Sequence, residues 1–376
     1  MKILYTIAGF YRAAGMERIL ADKANYLAGC GYAVVIVTTD QRGREEVFPL
    51  DPSITHIDLG IGYEDNNGGS LLSKVLYYPL KKWMHRRRLK LVLGEEKPDI
   101  TVSMFCGDEG FLPRLPHCGK TVLEVHFSRF KRLQYGRRGW WALADRWRSW
   151  KDGRVIRKFD RFVALTREDL GYWGTPANGC VIPNFIGSMP VVSASLESRT
   201  VLAVGRYSYQ KGFERLLEAW ALAVKQLPSR HGWKLRLVGD GENRRSLQSI
   251  SDSLGISSSV LIDWPQEDMD IVYRDSSILA LSSRYEGLPM VLLEAQAYGI
   301  PCVCFDCKCG PRDVIKDGED GFLVSEGDVQ ALAHALLKLI KDPSLRAAMG
   351  RKARRQAARW DKETIMQQWL TLFSER

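Results

Sequence analysis

The segment from Ser277 to Gly299 restricts the possible folds of this chain more than any other. It opens with a short apolar run, Ser277–Leu281, which is typical of a strand buried inside a parallel sheet. A loop follows, and Pro289 then fits the first turn of a helix, where its missing N–H costs nothing. Gly299 fits the end of that helix. A buried strand that is joined by a short loop to a helix predicts an α/β fold built on parallel sheets.

Two glutamates lie in this strand–loop–helix segment. Glu286 is in the loop, and Glu294 is inside the helix, about 7–8 Å beyond Pro289 at a rise of about 1.5 Å per residue. The backbone N–H groups of Met290 and Val291 lie at the positive end of the helix, which attracts anions. Together these groups suit a ligand with many hydroxyls and a diphosphate. Helix chemistry alone leaves a second interpretation open, in which both glutamates pair with nearby arginines or face water.

The spacing of the two glutamates carries a family resemblance. Glu286, seven residues and Glu294, with Gly-Leu-Pro directly after the first glutamate, resemble the Glu-x7-Glu motif of retaining glycosyltransferases of family 4, which have the GT-B fold. In that family the first glutamate contacts the donor sugar and the second binds ribose hydroxyls, so the resemblance implies these roles here. It also implies donor contacts from Gly287, Leu288, Met290 and Val291. The similarity continues at 299–301, 310–315 and 317–324.

The N-terminal residues predict a second strand–helix unit. Lys2–Ala8 is mostly apolar, Met16–Leu27 has helical spacing, and Ala33–Thr38 predicts the next strand. This order is the start of a doubly wound parallel sheet. The loop Ala-Gly-Met-Glu-Arg resembles the family's Gly-Gly-x-Glu-Arg turn, whose backbone approaches the donor diphosphate. Because Ala14 replaces the first glycine, the resemblance assigns that approach to Gly15, and an ordinary strand–helix turn is the alternative.

The length of 376 residues suits two domains better than a single core. The segment 187–198 is weakly patterned and predicts a linker between them. By the resemblance we predict a GT-B fold, in which the parallel sheets of two Rossmann-like domains face each other across a cleft. The acceptor-binding domain is expected at 1–186 and the nucleotide-sugar-binding domain at 187–360. The last helix, within 361–376, is expected to cross back onto the N-terminal domain.

Two cations mark the start of the predicted C-terminal domain. Thr200–Val204 predicts a strand, and Arg206 and Lys211 lie in the loop before a helix from Phe213 to Leu227. The family has a similar Gly-Arg and Lys-Gly pair, whose cations neutralise the donor diphosphate. A forked guanidinium and a mobile ammonium suit that role, which the resemblance assigns to Arg206 and Lys211. Two solvated loop charges are the alternative.

His126 ends a predicted strand, Thr121–His126, and strand ends line the ligand crevice in open α/β sheets. The family often places a histidine at this position, close to O6 of the sugar and the reaction centre. The resemblance therefore makes His126 a catalytic candidate, together with Glu286, Arg206 and Lys211. A hydrogen-bonded structural histidine is the alternative.

No metal and no cofactor are expected. Cys302 and Cys304 alternate within an apolar strand, as small buried hydrophobic residues do. With Cys307 and Cys309 they lack the spacing of structural zinc sites. The loop 307–309 should adjoin the donor sugar, and its sequence departs from that of the family, so the identity of the sugar stays open. Neither a serine-hydrolase motif nor a Walker motif is present.

The net charge of +10 is concentrated in one stretch. Residues 129–161 contain twelve basic side chains and three acidic ones, and a second basic cluster lies at 81–90. Because tryptophans are interleaved with these charges, the pattern suits an anionic membrane surface. Nucleic acid is another partner for such a pattern, and a solvated helix face with core tryptophans is a third interpretation. We predict attachment to anionic membranes through Trp140, Trp141, Arg137, Arg138, Arg146, Arg148 and the 81–90 cluster.

By the resemblance we predict a retaining, metal-independent glycosyltransferase. The expected donor is a UDP-sugar that carries a hexose or an N-acetylhexosamine. The expected acceptor is a lipid-linked saccharide, as used in the synthesis of a surface polysaccharide. No apolar run reaches the roughly 20 residues that span a bilayer, and no signal peptide is recognisable. We therefore expect a cytoplasmic enzyme, peripheral on the inner face of the cell membrane. The alternatives are a sugar-nucleotide epimerase on the same fold and a nucleic-acid-binding protein, which would need neither the two glutamates nor Arg206 and Lys211.

Overall fold

A computed structural model of the chain describes residues 1–12, 14–66, 71–131 and 139–375. For 66, 71–76, 140 and 141 it describes the backbone alone. The described residues form two parallel β-sheets flanked by helices, which confirms the predicted architecture of two Rossmann-like units. The first sheet ends at Val181 and the second begins at Thr200.

The N-terminal sheet has the strand order β3-β2-β1-β4-β5-β6-β7. The order reverses between β1 and β4, which is where an open α/β sheet forms a crevice for ligands. β1 pairs with β2 on one side and β4 on the other, and its residues after the first are all buried. The strands are β1 Lys2–Ile7, β2 Ala33–Thr38, β3 Thr55–Asp58, β4 Ile100–Ser103, β5 Lys120–Val125, β6 Arg161–Ala164 and β7 Gly179–Val181. The helices are α1 Gly15–Gly29, α2 Leu71–Glu96, α3 Trp140–Val155 and α4 Arg167–Tyr172.

The C-terminal sheet has the strand order β10-β9-β8-β11-β12-β13 and reverses between β8 and β11. Its strands are β8 Thr200–Val204, β9 Lys234–Val238, β10 Val260–Asp263, β11 Ile278–Leu281, β12 Cys302–Asp306 and β13 Gly321–Ser325. Its helices are α5 Phe213–Val224, α6 Arg244–Ser253, α7 Met269–Arg274, α8 Met290–Ala297, α9 Pro311–Val314, α10 Val329–Lys341 and α11 Pro343–Ala357. The chain ends with α12 Lys362–Ser374.

Two helix boundaries differ from the sequence prediction. Pro289 is the cap of α8 and does not lie in its first turn, because its ψ of 97° is extended and the helix begins at Met290. The helix predicted to reach Leu227 ends at Val224, and the next residues form a turn. The first difference is one residue, the size by which helix ends commonly vary, and the second is three residues.

The C-terminal helix α12 packs on the N-terminal domain, as predicted. Asp361 caps it by accepting a hydrogen bond from Thr364 N at 3.1 Å. Its apolar side joins the core around β1 and α1, so the chain ends on the domain in which it began. The residues buried there are Ile365, Met366, Trp369, Leu372 and Phe373.

Candidate active site between the two sheets

Glu286 lies in the loop between β11 and α8 and is only 5% exposed. Its Oε1 accepts hydrogen bonds from Lys211 Nζ at 2.7 Å and from Ser283 Oγ at 2.6 Å. Its backbone pairs with the loop after β12: Glu286 N donates to Lys308 O at 2.9 Å, and Cys309 N donates to Glu286 O at 3.1 Å. The first glutamate of the motif is therefore held on its backbone and its side chain, with a cation against its carboxylate.

Lys211 reaches Glu286 from the loop that follows β8. Gly205 allows this approach, because a Cβ atom there would lie 3.1 Å from the Lys211 side chain, and its φ of +155° favours glycine. Arg206 is exposed, and its positive charge acts on the carboxyl of Glu17 in α1. The structure thus joins Lys211 to Glu286, whereas Arg206 has no ion pair within the described ranges.

Gly287 brings this loop against the N-terminal domain at His126. A Cβ atom on residue 287 would lie 2.7 Å from His126 O and 3.2 Å from Phe127 Cα. Real side chains do not approach a carbonyl oxygen so closely, so glycine is the residue that fits. Glu286, Lys211 and the end of β5 consequently meet at one place.

His126 follows β5, and its side chain is 6% exposed. Its Nε2 lies 2.9 Å from Glu124 Oε1, at an angle that does not yet make a good hydrogen bond. Glu124 Oε2 accepts a hydrogen bond from Lys23 Nζ at 2.6 Å. Burial raises the pKa of Glu124, but the charges of Lys23 and His126 outweigh it and lower that pKa to about 2. His126 therefore lies beside a carboxylate that is ionised at physiological pH.

Glu294 lies on α8, at the wall of a cavity of about 450 Å³ between the two sheets. Its Oε1 accepts a hydrogen bond from Arg18 Nη1 at 3.0 Å and its Oε2 accepts one from Tyr273 OH at 2.5 Å. Burial, and then the charge of Glu294, raise the pKa of Tyr273, so its hydroxyl stays a donor. The arginine pairing that the sequence left open is present at Glu294, whereas Glu286 pairs with a lysine.

The N-terminus of α8 faces the first turn of α1. A Cβ atom on Gly15 would lie 3.9 Å from Met290 Cγ, an ordinary van der Waals distance. Met290 and Val291 are half-buried, and Leu288 is buried in the core next to them. The first N–H groups of a helix have no partner within the helix, so this end of α8 is a donor-rich surface between the domains.

The sequence analysis assigned no role to three residues that the structure places at this site. Arg18 and Tyr273 are the partners of Glu294. Glu17 is 8% exposed, its Oε2 has no hydrogen-bond partner among the described residues, and burial raises its pKa. Glu17 and Arg18 belong to the loop that resembles the family's turn, so a signal was present. Tyr273, in α7, lies in no recognisable motif.

The cysteines near the cleft are buried thiols. Cys302, Cys304, Cys307 and Cys309 are free, and burial raises the pKa of each. Cys309 Sγ contacts Asp169 Oδ1 of the N-terminal domain at 3.3 Å. In the part of the chain that the structure describes, no group of three or more His, Cys, Asp or Glu side chains could hold a metal ion.

Helices α2 and α3 expose aromatic and basic side chains together. Trp83 on α2 is 56% exposed, and Trp147 and Trp150 on α3 are 58% and 51% exposed. The interpretation that the tryptophans of the basic segments lie in the core is therefore wrong for Trp83, Trp147 and Trp150. On α3 the exposed apolar residues recur at intervals of four and three residues, which places them on one side of the helix. We call the exposed side of α3 the basic–aromatic face: Leu143, Trp147 and Trp150 with Arg146, Arg148, Lys151 and Arg154.

Some of the residues that the sequence predicts to contact a membrane lie outside the described residues. Arg137 and Arg138 lie outside the described residues, as do the side chains of Trp140 and Trp141. In the 81–90 cluster, Lys81 and Arg88 donate to backbone carbonyls of the preceding loop, whereas the other arginines and Lys90 are exposed. Among the described helices, none combines the length and the apolar character that crossing a bilayer demands.

Comparison with known sequences identifies the family of the chain. The chain matches the model for "Glycosyltransferase Family 4" at residues 13–187 and the model for "Glycosyl transferases group 1" at residues 189–356. It is 36% identical to the amylovoran biosynthesis glycosyltransferase AmsD of Erwinia amylovora, over 98% of each chain. It is 35% identical to a lipopolysaccharide 1,6-galactosyltransferase of Escherichia coli K12, over 38% of this chain and 40% of the relative.

Solved structures share the fold over the full length. A sucrose-phosphate synthase from Thermosynechococcus elongatus superposes with a TM-score of 0.82 at 20% identity, covering 99% of this chain and 98% of that one. The lipopolysaccharide outer core galactosyltransferase WaaB, in its apo form, superposes with a TM-score of 0.74 at 21% identity, covering 100% and 99%. These likenesses establish the arrangement of two Rossmann-like domains.

Proposed function

Because this chain belongs to the glycosyltransferases of family 4 and has the GT-B fold, we propose that it transfers a sugar from a nucleotide-sugar donor to a lipid-linked saccharide. The sugar is a hexose or an N-acetylhexosamine, the donor is a UDP-sugar, and transfer retains the anomeric configuration without a metal. The full-length similarity to a glycosyltransferase of amylovoran biosynthesis favours a role in making a surface polysaccharide.

The observation that carries this proposal is the contact between Lys211 and Glu286. A lysine and a glutamate that are nearly buried and 2.7 Å apart form a charged pair at the junction of the two sheets. The positive charge can bind the leaving diphosphate, and the carboxylate can bind hydroxyls of the sugar. Arg206, exposed on the same loop, supplies a second cation for the diphosphate. Charge neutralisation by two cations gives the leaving group the stabilisation that it needs.

Glu294 and the end of α8 complete the donor site. We assign the ribose hydroxyls to Glu294, whose two oxygens already face the donors Arg18 and Tyr273. The N–H groups of Met290 and Val291 and the backbone at Gly15 are assigned to the diphosphate, since this end of α8 attracts anions. His126 is assigned to the reacting sugar, because it adjoins Gly287.

The basic–aromatic face suits the predicted membrane partner. Cationic side chains attract anionic headgroups, while exposed tryptophans favour the headgroup level of a bilayer. Lys151 and Arg154 lie over the rings of Trp147 and Trp150, so charge and aromatic surface are presented together. The N-terminal domain, which would contact the membrane through this face, would then also bind the lipid-linked acceptor. We therefore propose an enzyme that works at the cytoplasmic surface of the cell membrane.

A panel of nucleotide sugars tests the donor assignment directly. We expect UDP-sugars to raise the melting temperature of the purified chain, because a ligand that binds the native state stabilises it. Incubation with the stabilising donor and a lipid-linked saccharide should then give an elongated product with retained configuration. Conversion of the donor without an acceptor would identify an epimerase instead, and stabilisation by GDP-sugars alone would contradict the choice of UDP.

A further inference from the structure

A charged pair is buried beneath the candidate site, between α1 and β5. Lys23 and Glu124 are each 1% exposed, and Lys23 Nζ donates to Glu124 Oε2 at 2.6 Å. Burial lowers the pKa of Lys23, and the charge of Glu124 opposes that effect. A charged pair so far from water is costly to bury, and removal of one member leaves the other without compensation.

Lys23 is also held by aromatic rings. Its Nζ lies 3.6 Å from the centre of the Trp369 ring on α12 and 5.5 Å from that of Tyr5 on β1. Both distances are within the range of a cation–π contact. Trp369 on the C-terminal helix and Glu124 on β5 therefore both hold the lysine, which leaves this ammonium little freedom to move.

Glu124 divides its two oxygens between different partners. Oε2 accepts from Lys23, and Oε1 lies 2.9 Å from Nε2 of His126. Glu124 and His126 are two residues apart where β5 ends, so their side chains leave the strand on the same side. If the carboxylate served only to balance Lys23, its second oxygen would not need to lie next to His126, which adjoins the loop that contains Glu286 and Gly287.

We propose that Glu124 is a positioning residue, which with Lys23 fixes the imidazole of His126 so that Nε2 carries a proton toward Glu124 and Nδ1 is presented to the substrate. This inference depends on the proposed role of His126 at the reacting sugar. Lys23 fixes the carboxylate, the carboxylate selects one tautomer of the ring, and the ring then meets a hydroxyl of the substrate with a defined nitrogen. The 2.9 Å separation of the two atoms is within hydrogen-bonding distance, so a change in the orientation of the groups alone can complete the bond.

Variants that remove both charges separate positioning from stability. In K23M/E124L the buried pair is replaced by apolar side chains, a change that proteins often tolerate, and the acceptor of Nε2–H is lost. In K23M/E124Q the charges are also absent, but the amide oxygen can still accept from Nε2–H. The control E96Q removes the charge of a partly exposed glutamate that pairs with Lys2 in the same domain. H126Q reports what the histidine itself contributes.

We expect kcat for sugar transfer to fall tenfold to hundredfold in K23M/E124L, the effect of losing about one charged hydrogen bond. The KM for the donor should stay near that of the unmodified chain, K23M/E124Q should recover part of kcat, and E96Q should match the unmodified chain. ¹⁵N spectra of the ring, assigned by the signal that H126Q lacks, should show one tautomer protonated on Nε2 in the unmodified chain. In K23M/E124L they should show a mixture of both tautomers.

The outcomes distinguish this inference from the proposed function. Full activity in H126Q would contradict the role of His126, and the positioning role would fall with it. A large loss in H126Q together with full activity and an unchanged tautomer in folded K23M/E124L would overturn the positioning role alone. Equal loss in K23M/E124L and K23M/E124Q, with the tautomer unchanged in both, would show that the pair serves stability only.

Discussion

The two halves of the molecule share one layered architecture but present their helices differently. In the C-terminal half, α5 and α10 bury large apolar residues such as Trp220 and Leu336 against the sheet. In the N-terminal half, α2 and α3 keep Trp83, Trp147 and Trp150 on the outside, next to arginines and lysines. The same strand–helix repeat therefore permits helices that bury their tryptophans against the sheet and helices that expose them, and the helix sequences decide between the two.

The halves also differ in how they hold a lysine next to a glutamate. Lys23 is sealed inside the N-terminal half, where Glu124 and two aromatic rings surround it. The side chain of Lys211 is 18% exposed and pairs with Glu286 where the cleft begins. A lysine at a cleft can exchange its partner for a phosphate, whereas a sealed lysine cannot, so we expect substitutions at the two pairs to have different kinetic effects.

The largest effect in the C-terminal half is expected from Glu286→Gln. The substitution keeps the shape of the side chain but removes the charge that faces Lys211, and we expect kcat to fall tenfold to hundredfold, as for loss of a charged hydrogen bond worth about 1.5–3 kcal/mol. Initial rates at saturating donor measure it. Glu326→Gln, which alters a surface pair with Arg215, is the control and should leave the rate unchanged. A rate equal to that of the control would remove Glu286 from the site.

Glu294→Gln is expected to act mainly on donor binding. The amide has only one acceptor oxygen, so it can no longer accept from both Arg18 and Tyr273 or bind two ribose hydroxyls, and we expect the donor KM to rise about tenfold. The measurement is the dependence of transfer rate on donor concentration, with the melting temperature as a check on folding. An unchanged KM in a folded variant would mean that Glu294 is a structural partner of Arg18 and Tyr273.

A smaller effect, on binding to anionic vesicles, should distinguish substitutions on α3 of the N-terminal half from substitutions on α11 of the C-terminal half. Arg146, Lys151 and Arg154 on α3 and Arg351, Lys352 and Arg355 on α11 are all exposed, so each set can be changed to glutamine. Each cation near an anionic leaflet contributes about 1 kcal/mol before salt screening, so we expect the α3 variant to bind anionic vesicles about threefold to tenfold less tightly. Co-sedimentation measures this binding. Equal binding by both triple variants would show that the basic–aromatic face does not contact lipid.

Nucleic acid is the competing partner for that face, and it predicts the same dependence on salt. A gel shift with the same two triple variants distinguishes the partners. We expect no retardation of nucleic acid by the unmodified chain at concentrations that give vesicle binding. Tight nucleic-acid binding without vesicle binding would reverse the assignment.

The smallest effect is expected at Glu17 and concerns stability. Burial raises the pKa of Glu17 above its ordinary value of 4.5, so the folded chain disfavours the charged form that prevails at neutral pH. Glu17→Gln should therefore raise the melting temperature at pH 7, by about 1–2 °C, and the gain should vanish as the pH falls below about 4.5. Thermal unfolding at both pH values measures it. A gain that persists at low pH would have another cause than ionisation.

Much of the fold follows from the sequence because buried strands leave short apolar runs and helices leave periodic ones. The strands at Ala33–Thr38 and Thr200–Val204 have the predicted bounds, and the strand predicted at Ser277–Leu281 begins one residue later, at Ile278. The spacing of Glu124 and His126 on one strand could also have shown that they share a face. The spacing of Leu143, Trp147 and Trp150 at intervals of four and three residues likewise predicts that they share one side of α3.

The contacts that complete the site have no local sequence pattern. Lys211 and Glu286 are 75 residues apart, and their pairing depends on how two loops meet beside β8 and β11. Tyr273 reaches Glu294 from another helix, and Lys23 reaches Glu124 across 101 residues. Periodicity constrains which side of an element is buried, but only tertiary packing decides which buried groups become partners.

Calorimetric binding of nucleoside diphosphate to Lys211→Ala tests the central claim, that the cation beside Glu286 holds the donor diphosphate. UDP and GDP are the probes, and Lys225→Ala, which changes an exposed lysine at the end of α5, is the matched control. We predict that the Kd of Lys211→Ala for UDP rises tenfold or more, about the value of one charge-assisted contact to phosphate, while Lys225→Ala binds as the unmodified chain does. Equal affinity of the two variants for UDP would contradict the claim.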